Sequence, residues 1–219
     1  MRNNKTQYIT TVGMLCAVAY IFTLIGHFIP LYFNGFLKYD PKDAIIVIAG
    51  FALGPMASLI ISVIVAFLEL VTISTTGFIG FGMNILASVS FACIAALVYR
   101  YKRSVPWAVA GLILSSAVTV GAMVLWNYLV TPWYMGVPRE VVADMLLPVF
   151  LPFNAIKCGL NTALALLIYK PCVQAMRRVG LLNVRSGGGK GMRKSTSLLI
   201  TVFALALMGG MIALFIILK

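Results

Sequence analysis

Seven apolar runs, near residues 8–29, 43–53, 55–73, 82–99, 105–130, 145–169 and 196–218, occupy most of this 219-residue chain. An α-helix needs about 20 apolar residues to cross the ~30 Å hydrocarbon core of a bilayer, and most of these runs approach or exceed that length. In hydrocarbon every backbone N–H and C=O must be satisfied within the chain, so runs of this kind fold as helices. With 62% apolar and 10% charged residues, the expectation is an all-α integral membrane protein with one membrane domain.

The adjacent runs 43–53 and 55–73 admit two readings: one long helix kinked at Gly54-Pro55, or a short helix, a turn and a full span. The basic residues decide between them. Counting two spans gathers Arg2, Lys5, Arg100, Lys102, Arg103, Lys170, Arg177, Arg178, Arg185, Lys190, Arg193 and Lys194, twelve of the seventeen Lys and Arg, on one side of the membrane. Counting one span moves Arg100, Lys102 and Arg103 across, against the excess of Lys and Arg in cytoplasmic loops. Two spans therefore place the N-terminus in the cytoplasm. The net charge of +12 then reflects orientation and contact with anionic lipid, not nucleic-acid binding. Arg2 and Lys5 precede a first run of about 22 residues, too long for a signal-peptide core and without a small-x-small cleavage pattern, so it is a retained span.

Three regions are expected: a membrane domain over 1–178, a basic glycine-rich cytoplasmic linker over 179–195, and an accessory C-terminal transmembrane helix over 196–219. The linker holds GGGKG, but a phosphate-binding loop needs Gly-Lys followed by Ser or Thr after a strand. Here Gly191 follows Lys190 and no strand is expected. The chain has no nucleotide-hydrolysing motif of its own. Cys16, Cys93, Cys158 and Cys172 lie in or at the ends of apolar runs without C-x-x-C spacing and read as small core residues. His27 has no second ligand at metal spacing and reads as interfacial. The five acids Asp40, Asp43, Glu69, Glu140 and Asp144 supply no paired intramembrane aspartates. Four of them are expected at the outer surface, with Glu69 alone deep in a span, so an intramembrane enzyme is excluded.

The informative residues are polar ones inside apolar runs. Asn154, Lys157 and Asn161 follow i, i+3, i+7 spacing and fall on one stripe of a helix. A lysine at mid-membrane costs roughly 2.5–3.5 kcal/mol and normally faces a polar cavity or a partner; Glu69 is one candidate partner. Asn127 ends the preceding span, and the short loop between the two runs makes them antiparallel neighbours whose polar groups can converge. Amides and an ammonium suit a flat heterocycle with alternating carbonyl and N–H groups. Trp126, Tyr128, Trp133, Tyr134, Phe150 and Phe153 stand nearby, either as stacking surfaces or as an interfacial aromatic belt. For Asn161, one turn further in, interhelical hydrogen bonding is expected. LYFNGFLKYDPKD (31–43) is long enough to fold over a cavity mouth. In TISTTGFIGFGMN (72–84), Thr75, Thr76 and the backbone at Gly77 can bind hydroxyls, and Asn84 begins the next run.

The combination FLKYDPKD, GFALGP, STTGFIGFGMN, NYLVTPWYMGVPRE and LPFNAIKCG, over about residues 8–175, resembles the riboflavin-specific substrate-binding (S) components of energy-coupling factor (ECF) transporters. That resemblance implies a six-transmembrane-helix bundle binding riboflavin (vitamin B2) at its outer side, as a transported ligand and with no catalytic cofactor. It implies that Asn127, Asn154 and Lys157 hydrogen-bond the pyrimidine-dione edge of the flavin and that Leu37, Lys38, Tyr39 and Asp40 form a lid. Thr76, Gly77 and Asn84 then lie where the ribityl chain or ring is held. It also implies partners, a membrane coupling subunit and two cytoplasmic ATPases, docked through small residues such as Gly13 and Ala17, and residence in a bacterial plasma membrane. The alternatives are an S component for another vitamin, or a stand-alone secondary carrier, for which the expected internal repeat is not evident. The seventh apolar run lies outside the six-helix pattern.

Overall fold

The computed structural model describes residues 4–28, 32–33, 37–178 and 194–218. Helix α1 (Asn4–Phe28) leads into a two-residue antiparallel hairpin, β1 (Tyr32–Phe33) and β2 (Leu37–Lys38), with Phe33 opposite Leu37. Next come α2 (Lys42–Leu53), α3 (Pro55–Thr72) and α4 (Gly77–Ser88), which continues through a π-helical turn, Val89–Cys93, into α5 (Ile94–Lys102). Then follow α6 (Val105–Met135), α7 (Arg139–Met145), a second π turn at Leu146–Phe150, α8 (Leu151–Arg178) and α9 (Lys194–Leu218). Much of the 179–195 linker, with Arg185, Lys190 and Arg193, and also Arg2 lie outside the described residues. The hairpin was not anticipated: its strands are too short to show an alternating pattern.

The doubtful pair of runs is two helices. Gly54 has φ 105 and ψ 167, a backbone conformation that side-chain-bearing residues rarely adopt, and Pro55 occupies the first turn of α3, where its missing N–H is harmless. Ser58 Oγ donates to Ile46 O at 3.2 Å; in one continuous helix these residues would stand about 18 Å apart. The chain therefore folds back on itself. Helix α2 is 12 residues long, about 18 Å, and too short to cross a bilayer. Every residue from Lys42 to Phe51 is buried, because α1, α3, α5 and α8 surround it. Close approach requires Gly50, where a Cβ would meet Ser58 Oγ at 2.1 Å and the Ala96 methyl at 2.8 Å.

Among the described residues, six helical segments are long and apolar enough to span a membrane: Lys5–Phe28, Pro55–Thr72, Gly77–Lys102, Val105–Met135, Arg139–Met176 and Leu198–Leu218. The first five, with the half-length α2 at their centre, make the six-membered bundle expected from sequence, and α9 is the additional helix. Gly136, with φ 65, ends α6 and turns the chain into α7. The core joins α1, α2, α3, the first π turn and α6 through Leu15, Ile45, Ile48, Ile61, Phe91 and Leu112, and takes in α5 and α8 through Ala95 and Ala165. Cys16 and Cys158 are buried within it, and all four cysteines are unpaired.

Candidate functional site

A cavity of about 330 Å³ lies at the end of the bundle where α1, α3 and α6 finish and α2, α4 and α8 begin. That volume falls within the ~300–1,000 Å³ typical of small-molecule sites. Leu37, Lys38, Tyr39 and Asp40 line it together with Thr76 and Asn84, and α6 and α8 contribute Asn127, Asn154 and Lys157. Helices α1 and α3 add Thr23, His27 and Glu69. Of the residues singled out from sequence, Gly77 does not line the cavity. It starts α4 at φ 57 beside Thr76, so what it contributes is a turn.

The two asparagines are held by their own helices. Asn127 Nδ2 donates to Met123 O at 2.7 Å, and its Oδ1 accepts from Thr131 at 2.8 Å. Asn154 Nδ2 donates to Phe150 O at 2.7 Å. Because a backbone carbonyl can only accept, these bonds fix which end of each amide is nitrogen. Each amide keeps a second N–H, and Asn154 keeps its carbonyl oxygen. Lys157 Nζ stands 3.8 Å from Asp43 Oδ2, too long for a hydrogen bond. Among the described residues its ammonium makes that ion pair and no hydrogen bond, although the side chain is only 14% exposed. An ammonium with three donors, placed in a cavity wall and barely solvated, calls for an acceptor there.

Beneath it lies an ion network that sequence reasoning missed. Lys42, 1% exposed, pairs with Asp40 Oδ2 at 2.8 Å and with Glu69 Oε1. Glu69 also accepts from Asn84 Nδ2 at 2.6 Å and from Thr23 Oγ1 at 3.4 Å, and Asp43 Oδ1 accepts from Ser88 Oγ at 2.5 Å. Two sequence expectations are thereby corrected. Lys157 pairs with Asp43 and not with Glu69, whose partner is Lys42. Asp40 and Asp43 also do not sit at the outer surface: Asp43 is 3% exposed. The sequence places Asp40, Lys42 and Asp43 in what looks like a polar loop, and only the burial of α2 turns them inward. Asn84, expected to begin a helix, lies in the second turn of α4.

Residues 37–40 are tied down by neighbouring polar groups. Burial alone pushes the Asp40 carboxyl up, but the ammonium groups of Lys42 and Lys157 and the hydrogen bonds from Lys42 outweigh it. They hold the group below its ordinary 3.8, so it stays ionised at neutral pH. Burial, then the Asp40 and Asp43 charges, push the Tyr39 phenol up, so it remains a donor to Asn161 Oδ1 at 3.3 Å. Asn161 Nδ2 in turn donates to Asp40 O at 3.2 Å. The expected interhelical bond is therefore a bond from α8 to the segment that precedes α2. Lys38 Nζ donates to His27 O at 2.8 Å and lies 3.0 Å from His27 Nδ1. Of the aromatic candidates, Phe153 lines the cavity, Phe150 is buried behind it, and Trp133 and Tyr134 are exposed as in an interfacial belt.

Because Lys42 retains Asp40 when Glu69 is neutralised, Glu69→Gln is expected to lower stability by about 1–3 kcal/mol. Thermal unfolding in detergent measures this, and a larger loss than that caused by removing Lys42 itself would contradict the assignment.

Among the described residues the structure is a membrane-type helical bundle with a polar cavity of small-molecule size at one end. Residues 7–169 match the family described as ECF transporter, substrate-specific component, and the chain belongs to that family: it is a transport protein and not an enzyme. It is similar to the riboflavin transporter RibU of Staphylococcus aureus (strain TCH60), at 28% identity over 185 residues, 82% of this chain and 96% of that relative. It also resembles the solved S component of a bacterial ECF transporter, with a TM-score of 0.66 and 26% identity, over 80% of this chain and 99% of that one.

Proposed function

We propose that this chain is the riboflavin-binding component of an ECF transporter and takes up vitamin B2 across the plasma membrane of a bacterium, with its N-terminus in the cytoplasm. The observation that carries the reading is the convergence of Asn127, Asn154 and the under-bonded Lys157 in a cavity of small-molecule size. The pyrimidine-dione edge of a flavin offers two carbonyls and an N–H, which match an ammonium and two amides with capacity to spare. Phe153 supplies an apolar ring against the fused ring system. Thr76 offers a hydroxyl to the ribityl chain, with the lid residues Leu37, Lys38, Tyr39 and Asp40 beside it. Asn84, whose side-chain N–H is committed to Glu69, keeps its carbonyl oxygen for the same purpose. Similarity to the riboflavin transporter supports the choice of vitamin. Titration of the purified protein with riboflavin, with thiamine and biotin as comparators, tests it; equal or tighter binding of a comparator overturns the choice.

The partners in this reading are a membrane coupling subunit and two ATPases, which supply the nucleotide chemistry for which this chain has no motif. Gly13 and Ala17 lie on the exposed side of α1, and a Cβ at Gly13 would meet nothing within 4 Å. Such a small-residue face permits close helix approach in lipid, and it lies about midway along α1. Ala17→Trp is expected to abolish riboflavin uptake by cells while leaving binding by the purified protein unchanged. Uptake at the parental rate would exclude this face as the dock.

A further inference from the structure

Helix α9 lies beyond the part of the chain that matches the family, which ends at residue 169, and its contacts reach the ligand cavity. Ala204, Met208, Met211 and Phe215 recur at i, i+4, i+7 and i+11, a single stripe of a helix. Ala204 and Phe215 are buried while most of the rest of α9 faces outward. The stripe packs on α8, where Gly159 leaves a notch: a Cβ there would sit 2.8 Å from both Sδ and Cε of Met211.

At the cavity end the seam continues into the lid. The Phe33 ring, 1% exposed, has its centroid 5.7 Å from that of Phe215 and 5.9 Å from that of Phe153, which lines the cavity. Leu37 and Tyr39, which line the cavity from the other side of the hairpin, pack against the same cluster. Phe33 is thus clamped between the cavity wall and a helix that the family pattern does not contain.

We propose that α9 is a strap on the ligand cavity, in which Phe215 is the positioning residue that holds the Phe33 hairpin against Phe153 and slows release of the bound ligand. Loop closures are among the least stable parts of a fold, so one added buried contact changes their open population disproportionately. In a bilayer the contact acts through packing, because lipid tails can cover Phe33 once Phe215 is gone. An aromatic pair of this geometry therefore sets an effect of about tenfold.

The proposal rests on the riboflavin reading only for the ligand whose release is timed. The first measurement is hydrogen exchange of the Phe33, Leu37 and Lys38 amides in the ligand-free full chain. Phe215→Ala is expected to speed it about tenfold, Ile216→Ala, on the exposed side of α9, to leave it unchanged, and Phe215→Leu, which keeps the apolar volume of the seam, to fall between. The second is stopped-flow release of riboflavin, expected to accelerate about tenfold in Phe215→Ala with little change in association. Adding Phe215→Ala to Phe33→Ala is expected to have no further effect on either quantity, because both remove one contact. Parental exchange in both Phe215 variants, or additive effects in the double variant, overturns the proposal. If the intact chain binds no riboflavin, the exchange measurements still decide the strap, and only the vitamin assignment fails.

Discussion

Replacing Lys42 with Met is expected to cost about 3–5 kcal/mol of stability, the usual penalty for stripping one partner from a buried ion pair. For a chain of this length that corresponds to a fall of roughly 6–20 °C in the unfolding midpoint. The physical cause lies in what remains behind. Lys42 is 1% exposed and touches both Asp40 and Glu69, so its loss leaves two largely buried carboxylates, with Asp43 nearby, without the cation they share. Each uncompensated charge there must be re-solvated by local opening or neutralised by taking up a proton. Adding Glu69→Gln to Lys42→Met is expected to restore part of the loss, because the second change removes one of the orphaned charges. A Lys42→Met protein that melts with its parent would mean that the network does not hold α2, α3 and the lid together.

Lys157→Met is expected to act in the opposite manner, sparing the fold and crippling the site. Its ion pair with Asp43 is long, and Asp43 keeps the hydroxyl of Ser88 when Lys157 is gone. The thioether chain fills a similar volume, so little packing is lost. In the bound state, however, a charge-assisted hydrogen bond of about 1.5–3 kcal/mol disappears, which corresponds to roughly tenfold to over a hundredfold in affinity. Isothermal titration with riboflavin, beside a melting curve, separates the two effects. Unchanged affinity would remove Lys157 from the site, and collapse of the fold would make it structural.

The contrast between these two lysines marks how far the sequence could be read. Lys157 stood out because it interrupts a long apolar run at helical spacing from Asn154. Such a residue is conspicuous in a membrane chain. Lys42 carried no such signal. It sits among Asp40, Pro41 and Asp43 in a stretch with the composition of a surface loop, and its burial follows from α2 being enclosed by four other helices. The helix pattern was legible because it depends on local periodicity, and the placement of the basic residues chose two helices over one kinked helix at Gly54-Pro55. The partner of Glu69 was not, because both Lys42 and Lys157 lie on the correct side of the membrane and only the packing distinguishes them. Nor could the reach of α9 be read: its apolar stripe is plain in the sequence, but what it touches depends on the Gly159 notch and on a two-residue hairpin too short to announce itself.

The central claim is that Asn127, Asn154 and Lys157 grip a flavin in a cavity roofed by Leu37 to Asp40. The visible absorption spectrum of the full chain, purified from cells supplied with riboflavin and washed free of unbound vitamin, tests it most directly. The account predicts a yellow protein with flavin bands in the parent and a colourless one carrying Lys157→Met. A folded parent that stays colourless under saturating riboflavin, or a Lys157→Met variant as yellow as the parent, would contradict it.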